Sequence, residues 1–229
     1  MSEVSPTYKV EPDALFTKWS VWLKTTEGEI TWLAVHRHVF QEVRKIVRDN
    51  PRIQKPSAFY TWMENAYVTD ITVRLRRQLD QDLRTVSFWN LLRALSEQPE
   101  AMSRQRYIAM YRGSVVERFA DRDFDRFAIP GEPHIDAALV KKDLALLEDA
   151  WNVVKEYINR RITHTDQRDA SYLPKFDDLD KCQDLLEELL IKYTMLFTGA
   201  NLMHVLPVFQ NDWQAVFREP WIAQDNEAE

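Results

Sequence analysis

The sequence predicts an all-α fold, an elongated bundle of four long helices with short accessory helices between them. Three observations carry that expectation. Large apolar residues recur at three- and four-residue spacing along most of the chain, the period of one helix face. The Val, Ile and Thr residues fall inside those same patterns, so no strand is needed to place them. Breaks are few, with only 4 glycines in 229 residues.

Residues 1–12 read as a loose polar leader ending in Pro12. From Asp13 the run Leu15, Phe16, Trp19, Trp22, Leu23 predicts a first helix, broken at Thr25–Gly28. A second helix follows from about Glu29 to Arg48 on Trp32, Val35, Val39, Phe40, Val43, Ile46 and Val47, and Asn50-Pro51 stops it. Ser57 caps a third, from about Ala58 to Leu83, with Phe59, Trp62, Tyr67, Ile71, Leu75 and Leu79 directed inward. Ser87 caps a shorter helix from Phe88 to Glu97, and another begins at Pro99 and passes through Tyr107, Met110 and Tyr111. Residues 114–127 are amphipathic but heavily charged, and IPGEP at 129–133 is the clearest loop signal.

Pro133 opens the longest predicted helix, from about Ile135 to His164, on a seam of Leu144, Leu147, Trp151, Val154, Ile158 and Ile162. After the polar run THTDQRDASYLPK, the last long helix spans about Phe176 to Leu202, with Gly199 and Asn201 as C-cap candidates. A short amphipathic piece, Trp213 to Phe217, precedes Pro220-Trp221 and an acidic tail at 223–229. Residues 13–222 are expected to form one domain, because neither side of IPGEP alone offers four long amphipathic helices.

Composition narrows the function classes. Hydrophobic residues at 45% and charged residues at 29% are ordinary globular usage. A net charge of -6 gives no general attraction for nucleic acid, so any polyanion site must be a local patch. The single cysteine, Cys182, cannot form an internal disulfide and excludes a cysteine-rich zinc site. No glycine-rich nucleotide fingerprint, P-loop or H-E-x-x-H run occurs, and no cofactor or metal is expected. The polar N-terminus lacks a signal-peptide layout and no run of 18 apolar residues exists, so the expected location is cytoplasmic, without a membrane partner.

The segment richest in chemistry is Tyr157 to Asp166, YINRRITHTD. Arg160 and His164 are four residues apart, so on a helix they project from one face. A guanidinium holds phosphate bidentately, and an imidazole moves a proton near neutral pH. Metal-free cleavage of RNA needs both close together. The structural alternative is that an arginine and a histidine in a last turn complement the helix dipole.

Three stretches in order resemble the HEPN superfamily, in particular its abortive-infection AbiU-like branch. They are ITVRLRRQLDQDLRTVSFWNLLRAL (71–95), NRRITHTD (159–166) and DWQAVFREPWI (212–222). The resemblance implies a HEPN-like bundle of four long helices that pairs as a homodimer through its motif-bearing helix. It further implies a metal-independent ribonuclease of bacterial defence or toxin–antitoxin type, with an RNA substrate and an antitoxin or other protein partner. His164 matches the family histidine, and Asn159 matches a polar residue common after the family arginine. The family arginine is separated from the histidine by four to six intervening residues, and the positions that satisfy this hold Asn159, Ile158 and Tyr157. Arg160, with three intervening residues, or Arg161 would have to take its role. A non-catalytic interaction module of the same fold is the alternative that this departure leaves open.

Other constellations carry less. Asp121, Asp123, Asp125 and Glu132 copy a calcium loop, but Arg126 replaces its turn glycine and Pro130 interrupts it. His36 and His38 point to different helix faces and cannot share a metal. Arg104, Arg106, Arg112, Arg118, Arg122 and Arg126, with Tyr107 and Tyr111, offer an RNA surface that interleaved acids nearly neutralise. The tryptophans read mostly as core, with Trp213, Phe217 and Trp221 available to clamp a neighbouring subunit.

Overall fold

The computed structural model describes residues 11–157 and 176–221. They form α1 (Pro12–Asp49), α2 (Ala58–Gln78), α3 (Phe88–Glu97), α4 (Arg104–Met110), α5 (Glu117–Phe124), α6 (Ala137–Tyr157) and α7 (Phe176–Thr198), with 3-10 turns at Pro99–Ala101 and Trp213–Arg218. Helices α1, α2, α6 and α7 are the long ones, so the described fold is all-α. An isolated bridge between Ser103 and His134 is the one strand-like pairing among the described residues. No helix of the described residues is long and apolar enough to cross a membrane.

The two helices predicted between Asp13 and Arg48 are one. α1 is 38 residues long, or about 57 Å, the longest helix among the described residues in place of α6. The TTEG run fails as a breaker because its polar groups are satisfied within the helix. Thr25 Oγ1 donates to the Val21 carbonyl at 3.0 Å, and Thr26 Oγ1 donates to those of Trp22 and Leu23 at 3.1 and 2.9 Å. Leu23, Thr26, Ile30 and Leu33, on both sides of Gly28, are buried. Burial of that row outweighs a glycine cost of about 1 kcal/mol.

α2 runs back along α1, and α7 packs on α1, α2 and α6. Ser57 and Ser87 cap α2 and α3 as predicted, accepting from the amides of Phe59 and Asn90. α2 ends at Gln78, short of Leu83. The helix predicted from Pro99 is instead a 3-10 turn followed by α4, which Ser103 caps. Residues 114–127 contain α5, and α6 starts at Ala137 rather than Ile135.

α7 stops at Thr198, where Gly199 adopts φ 69°. A Cβ at Gly199 would lie 3.2 Å from Tyr111 Cζ, and Tyr111 Oη donates to the Gly199 carbonyl at 2.8 Å. This glycine joins the end of α7 to the α4–α5 region.

The buried residues, from Leu15 to Val205, form one cluster. Three aromatic side chains expected inside are outside: Trp32, Phe59 and Trp62 are 55%, 44% and 63% exposed. Trp19, Trp89 and Trp151 are buried. Periodicity finds apolar stripes but does not tell a core-facing stripe from a surface one.

Candidate functional site

The predicted residues Asn159, Arg160, Arg161 and His164 lie outside the described residues. The helices on either side of them are described. α6 is described as far as Tyr157 and α7 from Phe176, and both helices are fixed in the core near those positions by Val154 and Leu179.

The start of α7 is the most chemically loaded end of the bundle. The Phe40 and Tyr67 rings stack 3.8 Å apart at 7°, and Phe176 meets them at 5.6 and 6.2 Å. The Arg44 guanidinium stands 5.0 Å from the Phe176 ring and 5.7 Å from that of Phe40. One turn along α7, burial raises the pKa of the Asp180 carboxyl above the usual carboxylate range, against the attraction of Arg37 and Arg44. Burial and the field of Asp180 push the Tyr67 phenol up in the same way.

Arg37 ties this end together. Its Nη1 donates to Asp184 Oδ1 at 2.5 Å and its Nη2 to Glu187 Oε1 at 2.8 Å. Burial opposes its charge, but Asp184, Glu187 and Asp180 outweigh burial and hold its pKa above the ordinary value. A guanidinium gripped by two carboxylates positions helices; it is not available to a phosphate.

A second cluster spans α1 and α2. His36 Nδ1 lies 2.5 Å from Asp70 Oδ2, and Arg74 Nε donates to Asp70 Oδ1 at 2.9 Å. Glu29 receives Arg74 Nη1 at 3.5 Å and Arg77 Nη2 at 3.3 Å. The Trp32 ring meets His36 edge-on at 5.5 Å. Asp70 also borders a groove of about 890 Å³ along α2, lined by Ala58, Trp62, Ala66, Thr69 and Val73 among others. This arrangement holds an imidazole in place beside a carboxylate at the edge of a groove. Sequence reading set His36 aside as a metal ligand and did not find its carboxylate partner. The signal was present: His36 and Asp70 stand equally far along the chain from Ile53, in the turn between two helices expected to pair.

The arginine row at 104–126 is bound up internally where it meets α5. Arg104 donates to Asp121 Oδ1 at 3.0 Å and Asp125 Oδ1 at 2.7 Å, and its guanidinium covers the Phe124 ring. Arg106 pairs with Asp13 and covers Phe16. Tyr107 is buried, so it offers no stacking face. Asp121 and Asp123 sit on a helix, not in a calcium loop. Among the described residues no group of three or more His, Cys, Asp or Glu is placed to hold a metal ion.

The C-terminal aromatics join the bundle through α1 and α2. His38 stacks on Phe209 at 5.3 Å, and rings then follow at residues 213, 217 and 221 with spacings of 6.2, 6.2 and 5.9 Å. Trp221 reaches Phe59 on α2 at 6.1 Å. No protein-family model, curated protein or solved structure matches this chain.

Proposed function

We propose that the chain is a HEPN-type, AbiU-like cytoplasmic protein of a bacterial defence or toxin–antitoxin system, which pairs with a second copy and cleaves RNA without a metal. One observation carries the reading. The NRRITHTD run stands between the described ends of α6 and α7, an antiparallel pair locked by Asp143, whose Oδ2 accepts from Lys192 Nζ at 2.6 Å and Tyr193 Oη at 2.7 Å. At the start of the described part of α7, the half-buried Phe176 ring lies under the exposed Arg44 guanidinium, a cationic and aromatic setting that supports contact with a nucleic-acid strand.

In this reading His164 acts as acid and base on the ribose 2′-hydroxyl and the leaving 5′-oxygen. Arg160, or Arg161, stabilises the charge on the phosphorane, with Asn159 beside them. An antitoxin or other protein partner would hold the activity in check. The test is incubation of the purified protein with RNA in the presence of a chelator, beside His164→Ala. The reading requires cleavage by the parent and its loss in the variant; equal activity in both, or none in either, contradicts it.

The spacing of Arg160 from His164, one residue short of the family pattern, favours a second reading: a non-catalytic pairing module of the same fold. Ile158→Arg discriminates. Growth arrest on expression of that variant and not of the parent identifies a lapsed nuclease.

A further inference from the structure

The tip of the α1–α2 hairpin has the opposite charge to the rest of the molecule. Residues 43–63 hold five cations, Arg44, Lys45, Arg48, Arg52 and Lys55, against one acid, Asp49. That is +4 in a chain whose net charge is -6, which leaves -10 for everything else. All five cations are exposed. Arg44 covers the Phe176 ring, and Arg48 pairs with its neighbour Asp49 at 3.3 Å on an open surface. Lys45, Arg52 and Lys55 have no carboxylate partner among the described residues.

Apolar groups stand among these charges. Ile53, 37% exposed, is carried between Arg52 and Lys55 on a closed turn. The Asn50 Oδ1 accepts from the Arg52 amide at 3.1 Å, and the Asn50 carbonyl accepts from the Ile53 amide at 3.1 Å. Tyr60 Oη donates to the Ile53 carbonyl at 3.0 Å, and Gln54 Nε2 donates to that of Arg48. With these polar groups occupied, the turn presents side chains in place of bare backbone. At the start of α2, Phe59 meets Trp62 at 5.8 Å and Trp221 at 6.1 Å, and the two tryptophans are 63% and 62% exposed.

We propose that this tip is a docking surface for an anionic lipid bilayer, which the chain touches without crossing. The contact depends on neither pairing nor RNA cleavage. Charge and apolarity together select the occupant. Each cation beside anionic headgroups raises partitioning by about fivefold. Tryptophan rings settle at headgroup level, an aliphatic tip enters the acyl boundary, and Lys and Arg stems lie along apolar surface while their charges stay in water. A nucleic-acid strand would use the cations but not Ile53, and it stacks on separate ring faces, whereas Phe59 joins these rings into one cluster. The acidic remainder of the chain is repelled by the same headgroups, so the tip leads the approach. The expectation of no membrane partner came from the lack of a spanning run, and a contact at the surface needs none.

Co-sedimentation of the full chain with vesicles tests this, using phosphatidylcholine alone and phosphatidylcholine with about one-third phosphatidylglycerol. The parent is expected to pellet with the anionic vesicles at low salt, to be released by about 0.5 M salt, and to ignore the neutral ones. Lys45→Gln, Arg52→Gln and Lys55→Gln combined are expected to weaken partitioning about a hundredfold. Ile53→Ser with Trp62→Ser is expected to weaken it about tenfold or more. Every altered side chain is exposed, so helical circular dichroism is expected to stay unchanged and separates lost docking from a lost fold. A single-stranded deoxyoligonucleotide at equal phosphate concentration is expected to leave the bound chain in place. A parent that does not pellet, or either variant pelleting as the parent does, overturns the proposal. Release by the oligonucleotide also overturns it and gives the surface to nucleic acid.

Discussion

His36 Nδ1 lies 2.5 Å from Asp70 Oδ2, and the contact sets the register of the α1–α2 hairpin. Either side of it, Phe40 stacks on Tyr67 and Glu29 receives Arg74 and Arg77. Asp70 serves two partners and His36 one, so Asp70→Ala is expected to cost more stability than His36→Ala. The second should cost about 1 kcal/mol, because the pair is about one-third exposed and screened. Urea denaturation of both single variants and the double variant checks it. A double variant no worse than Asp70→Ala is expected, and strict additivity would show that the two side chains are not coupled.

Two glycine substitutions should act in opposite directions. Gly28 lies inside α1, and a Cβ there meets nothing within 4 Å. Gly28→Ala is expected to stabilise the chain by about 1 kcal/mol and raise Tm. Gly199 has φ 69° and Tyr111 against its Cβ position, so Gly199→Ala is expected to destabilise by about 1–2 kcal/mol. Thermal melts of the two variants read the sign directly.

Asp180 supplies a pH dependence. Burial raises its folded-state pKa above the unfolded value, despite Arg37. The folded chain therefore holds that proton more tightly than the unfolded chain does. Below the unfolded pKa the group makes no difference; as pH rises from about 4 through the folded value, ionisation takes stability away. Asp180→Asn does not titrate. The Tm of the variant relative to the parent is expected to rise from acid to neutral pH, and a constant difference would contradict the burial argument.

Cys182 is buried on α7, and burial pushes its thiol up to about 12. The thiolate is the reactive form, so a native-state thiol reagent is expected to leave Cys182 unmodified at neutral pH, with full reaction in urea. Rapid modification of the folded chain would mean that α7 opens locally.

Much of this fold is legible in the sequence where the signal is local. Ser57 and Ser87 mark helix starts because a short side-chain oxygen satisfies a free amide, and Gly199 marks an end because it tolerates positive φ. The break expected at Thr25–Gly28 is absent because burial on both sides overrides a weak local preference. Trp62 misleads for a different reason: it stands on the exposed face of α2, where an apolar side chain does not mark the core. His36 and Asp70 are invisible to any short motif, being 34 residues apart and joined only when two helices fold back on each other. Asn159, Arg160, Arg161 and His164 rest on the family resemblance and their spacing, since they fall outside the described residues.

The nature of the cleaved ends tests the central claim most directly. If His164 activates a ribose hydroxyl, RNA incubated with the protein in chelator gives 2′,3′-cyclic phosphate and 5′-hydroxyl ends. A strand with 2′-deoxyribose at the cleaved position then stays intact, and so does RNA with His164→Ala. Cutting of the deoxy-substituted strand, or no cutting of RNA at all, would contradict the account.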